Sequence, residues 1–218
     1  MIQILEPLYL VFWPSMITIL LGYIMDFFIS KDTLLNYFYE IPQQYIDGIK
    51  ASIINLLIIS PINYIVAYNY LFSSNMFSPG IQFIKLILML LTHNVLYYKF
   101  HSAVHKYPNL RFIHDFHHKF KTNLPSIGNA VSIYEFQFMY VLPFLIGLFI
   151  IKPNILTFNM SIYIISLLNL LIHCDQFKEI RWIQGLVSPE KHGKHHKNYF
   201  GNYSAPLLDL DFIFKKNK

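Results

Sequence analysis

The sequence predicts an all-α integral membrane protein with four to five transmembrane helices and a histidine-rich, di-metal helical cap on the cytosolic side. First, the chain of 218 residues is 55% hydrophobic and only 13% charged, whereas soluble globular domains carry roughly 25% charged residues. Second, the hydrophobic residues form blocks close to the ~20 residues that cross a bilayer core. Third, nine of the ten histidines crowd into residues 101–118 and 173–196.

Five apolar blocks account for the predicted spans, at 8–29, 52–72, 81–100, 133–151 and 154–173. The first block is expected to be a retained anchor. A secretory signal begins with basic residues, whereas the segment Met1–Leu8 contains Glu6 and no Lys or Arg.

The composition argues against a fold held by disulfides or thiolate-bound zinc, and against a nucleic-acid-binding protein. Cys174 is the only cysteine, so neither an internal disulfide nor a thiolate cluster for structural zinc can form. The net charge of +5 does not indicate a nucleic-acid partner, because the Lys and Arg residues lie beside apolar blocks instead of forming a basic domain.

The connections between the blocks predict the topology. A polar loop, Ser30–Lys50, follows the first block, and Ser73–Gly80 follows the second, with Pro79-Gly80 as a turn signal. Only Lys152, Pro153 and Asn154 separate the fourth and fifth blocks. This tight helical hairpin brings the residues before 133 and after 173 to the same side of the membrane.

The charges predict which side that is. If the histidine clusters, the loop 30–50 and the C-terminus share one side, that side carries every Lys and Arg except Lys85 and Lys152. The positive-inside rule makes it cytosolic. We expect one structural domain, in which residues 1–84 are membrane anchor helices and residues 85–218 are the catalytic region.

The nine clustered histidines have the spacing of metal ligands. The pair His101 and His105 would lie on one face of a helix, and the pattern HxxHH occurs twice. His173 ends the fifth block, which the hairpin returns to the side of the other clusters. The predicted ligands are His101, His105, His114, His117, His118, His173, His192, His195 and His196.

Nine imidazoles exceed the ligands that one ion accepts, so two metals are implied. Iron is favoured because a binuclear nitrogen site with open positions can activate O2, although the ligand type does not exclude zinc. His93 lies inside the third block and is left out of the set. Asp115, Asp175 and Asp209 are candidates to orient the imidazoles by accepting their second N–H.

These residues resemble the sterol desaturase and fatty acid hydroxylase superfamily, whose histidine boxes run HxxxH, HxxHH, a later H, then HxxHH. The resemblance covers roughly residues 85–214. The nearest branch is the C4-methyl sterol oxidases, because Gly201–Ser204, Asp211–Phe214 and the pair His173-Cys174 are similar to their GNYS, DWIF and HC segments.

The resemblance implies a membrane-bound, di-iron, O2-dependent oxidoreductase that hydroxylates or desaturates a sterol or fatty acyl lipid. Its electrons would come from NAD(P)H through cytochrome b5. Asn169 matches an asparagine of some sterol desaturases and would support a metal-binding histidine directly or through water. The last residues, 215–218, resemble a dilysine retrieval signal, which implies a multi-pass protein of the endoplasmic reticulum with a cytosolic C-terminus.

Three positions depart from the family pattern. Ser102 stands where members of the family often have arginine, and Phe177 stands where a histidine is common. Ser132 stands where C4-methyl sterol oxidases usually have a histidine, just before the glutamate that aligns with Glu135. Two alternatives therefore stay open, a zinc-dependent membrane hydrolase and a catalytically inactive, metal-stapled membrane scaffold. The sequence also leaves open whether the lipid is a sterol, a fatty acid, a sphingoid base or an alkyl glycerol.

Overall fold

The structure is a computed structural model that describes residues 2–70, 78–180 and 182–214. Within these ranges it is helical, with one isolated antiparallel bridge between Leu186 and Leu208 and no strand. Most of the predicted connection Ser73–Gly80, and all of the predicted retrieval signal 215–218, lie outside the described residues.

The α-helices in chain order are α1 Ile2–Phe28, α2 Lys31–Glu40, α3 Pro42–Ile54, α4 Ser60–Tyr70, α5 Pro79–Lys106, α6 Ile133–Glu135, α7 Leu142–Ile151, α8 Ile155–Ile172, α9 Pro189–Asn198 and α10 Leu210–Ile213. Two π-helical segments, Asn55–Ile59 and Phe136–Val141, join α3 to α4 and α6 to α7. Short 3-10 helices occupy Pro108–Ile113, His117–Lys119, Pro125–Ile127 and Asp175–Phe177.

Five helical stretches are long and apolar enough to cross a membrane, namely Glu6–Phe28, Pro42–Tyr68, Pro79–Lys106, Ile133–Ile151 and Ile155–Ile172. Only 22% to 44% of each apolar window is buried inside the protein, so most of this apolar surface is left for lipid. These spans overlap the five predicted blocks and confirm the all-α membrane fold class. The cytosolic orientation stays a prediction.

The polar stretch Ser30–Lys50 is helical, and its prediction as a loop is wrong. It forms α2 and the first turns of α3, which bury Tyr37 and Tyr45 against a core cluster that includes Leu124. The Tyr37 hydroxyl also donates a hydrogen bond to the carbonyl oxygen of Thr122 at 2.6 Å. These helices thus support the loop that follows the first HxxHH motif.

The third span starts earlier and ends later than its apolar block. Pro79 begins α5 instead of a turn, because a proline at the first helical position loses no hydrogen bond. The helix then continues to Lys106. Its last turns therefore carry His101 and His105, as the HxxxH spacing predicts.

The hairpin between the fourth and fifth spans is confirmed. Lys152 ends α7 in the left-handed conformation, with φ at 50°. Asn154 then caps α8, since its side-chain oxygen accepts the backbone N–H of Thr157 at 2.8 Å. From the third span, the Gln82 side-chain oxygen accepts the Thr157 hydroxyl at 2.9 Å. The start of the fourth span and the end of the fifth therefore lie on the same side.

The C-terminal segment is fastened to the third span. The Asn94 side chain accepts the backbone N–H of Leu208 at 2.9 Å and donates to the carbonyl of the same residue at 3.2 Å. Asp211 accepts both the backbone N–H and the hydroxyl of Ser204 at 2.8 Å. These bonds bring residues 201–203 beside the end of α5.

Candidate metal centre

Four segments carry the nine clustered histidines. His101 and His105 lie at the end of α5, and His173 directly follows α8. The 3-10 region after α5 carries the first HxxHH motif, and α9 carries the second. Eight of the nine side chains are buried, and His105 is partly buried.

The imidazoles form two groups. The five-histidine group contains His101, His105, His114, His118 and His195, and the four-histidine group contains His117, His173, His192 and His196. Within each group, one ligand nitrogen per residue lies within 4.8 Å of all the others. The structure therefore gathers all nine sequence-predicted residues. Their assignment as metal ligands stays a proposal.

In the five-histidine group the Nε2 atoms converge. The Nε2 atoms of His101 and His114 are 2.8 Å apart, and the Nε2 atom of His118 lies 3.1 Å from that of His195 and 3.2 Å from that of His105. His101 and His105 end α5, and His114 and His118 follow in the 3-10 region. His195 comes from α9, so the fold brings together nitrogens that are distant in sequence.

Three members of this group have a partner at the other ring nitrogen, Nδ1. His101 Nδ1 donates to the carbonyl oxygen of Tyr203 at 2.7 Å, and His195 Nδ1 to that of Gly201 at 2.9 Å. His114 Nδ1 lies 2.8 Å from the Glu135 carboxylate. Such partners orient a histidine so that Nε2 is the nitrogen left for a metal.

Two members of the four-histidine group are held in the same way. His173 Nδ1 donates to the carbonyl oxygen of Asn169 at 2.7 Å, and His117 Nδ1 to that of Ala130 at 3.2 Å. The Nε2 atom of His192 lies 2.9 Å from that of His173 and 3.1 Å from that of His196. Again, Nε2 is the inward-facing nitrogen.

This arrangement fits a bound cation. A carbonyl oxygen only accepts, so each histidine that donates to one through Nδ1 carries a lone pair on Nε2. Lone pairs gathered at the centre of a group repel each other unless a proton or a cation lies between them. The residues present therefore fit a metal ion in each group, with a donor set of imidazoles alone.

The two groups are neighbours. His118 of one and His196 of the other have ring centroids 5.2 Å apart. Residues adjacent in sequence go to different groups, as His117 and His118 do, and each HxxHH motif therefore contributes to both. The arrangement is that of a binuclear site.

Comparison with known proteins agrees with this geometry. The family model described as Fatty acid hydroxylase matches residues 86–216, more than half of the chain. The chain belongs to the fatty acid hydroxylase family. This confirms the resemblance to the sterol desaturase and fatty acid hydroxylase superfamily. No curated protein and no solved structure matches the chain.

Burial keeps the imidazoles of this fatty acid hydroxylase family member neutral. Burial, with a smaller contribution from neighbouring histidines, lowers the pKa of His118 to about 3. Burial likewise lowers the pKa of His173 to about 4. The pKa values of His117, His192 and His196 are also lowered, chiefly by burial. At neutral pH these residues are thus in the unprotonated form that binds metal.

The four predicted orienting residues take different places. Asn169 holds His173 through its backbone carbonyl, while its side chain donates to the Gly128 carbonyl and the Asn129 side chain. Asp115 is exposed.

The other two carboxylates contact groups that are not imidazoles. Asp175 accepts from Asn123 at 3.2 Å, and Asp209 pairs with Lys191 and caps α10. Whether these residues tune the metals stays a prediction.

Sequence reasoning missed most of the partners that orient the rings. The backbone carbonyls of Tyr203, Gly201 and Ala130 carry no sequence signal. The alignment of Glu135 with a family glutamate did not predict its contact with His114. Glu135 did offer a signal, because an acidic residue at the start of an apolar span is a candidate for function by default.

His93, which was left out of the predicted ligand set, belongs to neither group. It is fully buried in the third span, with its ring centroid 4.4 Å from that of Phe144. Both ring nitrogens are without a hydrogen-bond partner among the described residues. His93 therefore offers a control position at which an imidazole can be removed without touching either group.

Proposed function

We propose that this protein is a membrane-bound di-iron, O2-dependent lipid hydroxylase or desaturase, similar to the C4-methyl sterol oxidases. The observation that carries the proposal is the pair of adjacent all-histidine groups in a membrane protein of the fatty acid hydroxylase family. Iron bound there would supply the redox chemistry by which O2 oxidises a C–H bond, which zinc cannot supply.

The protein's own residues would hold and shield this site. The carbonyl partners of His101, His195, His173 and His117 fix the direction of those four rings before any metal arrives. The ring of Tyr199 stacks on that of His118 at 4.3 Å, and the ring of Tyr203 stacks on that of His105 at 5.2 Å. These two aromatic side chains cover the five-histidine group and limit the access of water.

A pocket between the spans supports a lipid substrate. It is lined by α1, α4, α7 and α8 and reaches Asn169, whose carbonyl holds His173, at one end. The other end includes Tyr64, whose hydroxyl donates to Asn159 at 2.8 Å. Asn159 and Asn169 are ten residues apart on α8, which corresponds to about 15 Å at 1.5 Å per residue. A lipid tail could lie in this pocket parallel to the spans, with its oxidised carbon near the four-histidine group.

Shortening this pocket is expected to change which lipids are oxidised. Ala67 is 1% exposed and lines the far end, so Ala67→Phe would fill that end. One methylene that an apolar pocket no longer accommodates costs roughly 1–3 kcal/mol in the specificity for that substrate. We therefore expect about a tenfold slower oxidation of long-tailed lipids, with shorter analogues less affected. The measurement is product formation across a series of tail lengths.

The matched control for this variant is Val66→Phe on the same helix. Val66 is 53% exposed on the lipid-facing side, so the same added ring leaves the pocket open. Equal effects of the two variants on tail-length preference would rule out the pocket as the binding site of the tail.

The partners and location are proposed from the family. Electrons would come from NAD(P)H through a cytochrome b5-type protein, and exposed Lys119 and Lys197 beside the histidine motifs support an acidic donor. We further propose residence in the endoplasmic reticulum with the histidine groups facing the cytosol. Residues 85–218 would form the catalytic region, while residues 1–84 would anchor it and line part of the pocket.

The deciding experiment compares lipids, metal content and O2 consumption in cells or membranes carrying the wild-type chain, His117→Ala or His93→Leu. We expect an oxidised lipid with the wild type and with His93→Leu, and none with His117→Ala. Tightly bound zinc without O2 consumption would favour the hydrolase. Bound metal without any change in lipids would favour the inactive scaffold.

A further inference from the structure

We infer that Glu135, held in place by Ser132, is a positioning residue for the five-histidine group and acts through His114. This inference deepens the proposed function and rests on it, because it assumes a metal in that group. Glu135 lies at the end of α6, on the first turn of the fourth span. Its role would be to fix which nitrogen of His114 faces the metal.

Glu135 carries a fully buried carboxyl group. Its side chain is 0% exposed, and a buried carboxylate is strongly unfavourable without a positive partner. Among the described residues, the contact that Glu135 makes is with His114, whose Nδ1 lies 2.8 Å from Oε1, and a neutral imidazole brings no positive charge. Neither a lysine nor an arginine of the described chain pairs with it. A cation on the far side of the His114 ring would supply the missing positive charge.

The contact between Glu135 and His114 is short but is not a formed hydrogen bond. Oε1 and Nδ1 are 2.8 Å apart, yet both carboxylate oxygens are without a hydrogen-bond partner among the described residues. Hydrogen bonds of a reactive site are often long or poorly aligned until the ligand binds, and they tighten in the complex. With Nδ1–H directed at the carboxylate, His114 presents its Nε2 lone pair toward His101, at 2.8 Å.

Ser132 connects Glu135 to the segment that carries His114. Its hydroxyl accepts the backbone N–H of Glu135 at 3.0 Å and donates to the carbonyl oxygen of Ile113 at 2.6 Å. Ile113 immediately precedes His114. One side chain therefore ties the turn that carries the carboxylate to the segment that carries the imidazole. The departure at Ser132, where related oxidases usually have a histidine, thus has a defined role beside the site.

The expected effect follows from the known role of such partners. Loss of the residue that orients a metal-bound histidine lowers metal affinity by about 10- to 100-fold. Glu135→Leu removes both the acceptor and the charge. Glu135→Gln keeps an oxygen that can accept Nδ1–H but removes the charge, so its effect should be smaller. Ser132→Ala leaves the carboxylate in place without its clamp and should also weaken binding.

The test is a titration of the full-length, detergent-solubilised chain with Co²⁺, which reports binding through its visible absorption. We expect the wild type to bind two ions. Glu135→Leu should bind one as tightly and the other about 10- to 100-fold more weakly. Glu135→Gln should bind that ion a few-fold more weakly with a changed Co²⁺ spectrum.

The control is Asn55→Leu. Asn55 is fully buried, and its side chain donates to the carbonyl of Val131, next to Ser132, without contacting an imidazole. The variant therefore loosens the same loop without removing Glu135, and it should weaken metal binding less than Glu135→Leu does.

The outcomes separate this inference from the proposed function. Equal weakening by Asn55→Leu and Glu135→Leu would reduce Glu135 to a structural residue. A Glu135→Gln variant with wild-type affinity and spectrum would also overturn the inference, even if Glu135→Leu does not fold. A wild type that binds fewer than two ions would instead refute the di-metal centre itself.

Discussion

Replacing His192 by alanine is expected to lower lipid oxidation by more than about a hundredfold and to remove one of two bound ions. Loss of a residue that only orients a metal-bound histidine costs about 10- to 100-fold, and loss of a ligand itself should cost more. The four-histidine group has no spare imidazole, so this variant leaves three. His192 is central to that group, because its Nε2 atom lies within 3.1 Å of those of His173 and His196. Metal analysis of the purified variant, together with product formation per chain, measures both effects.

The matched variant for this prediction is His105→Ala. His105 belongs to the five-histidine group and is the one member of the nine that is not fully buried. Four imidazoles remain after its loss, so we expect both ions to be retained and oxidation to fall less. If His105→Ala lost its ion while His192→Ala kept both, the division into a group of five and a group of four would not describe the metal sites.

The membrane spans could be predicted from sequence because lipid imposes a simple rule on composition. A stretch that crosses the bilayer must be apolar along its whole length, so the block 133–151 coincides with the span Ile133–Ile151. The hairpin at Lys152 was equally accessible, because three residues between two spans leave a single topology. Both predictions depend on local sequence alone.

Helix α2 and the first turns of α3 were not predicted, because the contacts of their apolar residues form only in the folded protein. Tyr37 and Tyr45 are scattered among polar residues, and what they bury against, Leu124 and its neighbours, lies some eighty residues further along the chain. The sequence shows the polar residues of this stretch but not the core beneath it. A loop was therefore the natural expectation.

The histidine set could be predicted, but its division into groups could not. The spacing of the motifs does not assign individual histidines to either metal. In the structure, the first motif lies on a 3-10 turn, and the adjacent residues His117 and His118 face different groups. The orienting carbonyls of Tyr203 and Gly201 are likewise set by the way in which Asn94 and Asp211 fasten the C-terminal segment, which spacing does not reveal.

Gly128→Ala is expected to disable the four-histidine group although residue 128 binds no metal. A Cβ atom added at Gly128 would lie 3.0 Å from His173 Nδ1, 3.1 Å from its Cγ and 3.2 Å from the Pro125 carbonyl oxygen. The backbone itself would accept alanine, since its φ is −58°. The cost therefore falls on the His173 ring.

The ring has little room to yield. Its Nδ1 is held by the Asn169 carbonyl at 2.7 Å, and its Nε2 faces that of His192 at 2.9 Å. A displacement of a few tenths of an ångström would misdirect Nε2, and a misplacement of about 1 Å can cost roughly a hundredfold in rate. We expect at least about a tenfold loss of oxidation on this scale, with a weakened affinity for one ion measured by Co²⁺ titration.

The control is Gly80→Ala, because no atom lies within 4 Å of a Cβ atom built there. Gly80 lies on the first turn of α5, where alanine costs nothing sterically and favours the helix by up to about 1 kcal/mol. Its metal affinity and oxidation rate should match those of the wild type. If Gly128→Ala behaved in the same way, the His173 ring would have to be free to move, and a rigid, preformed four-histidine group would be the wrong description of this site.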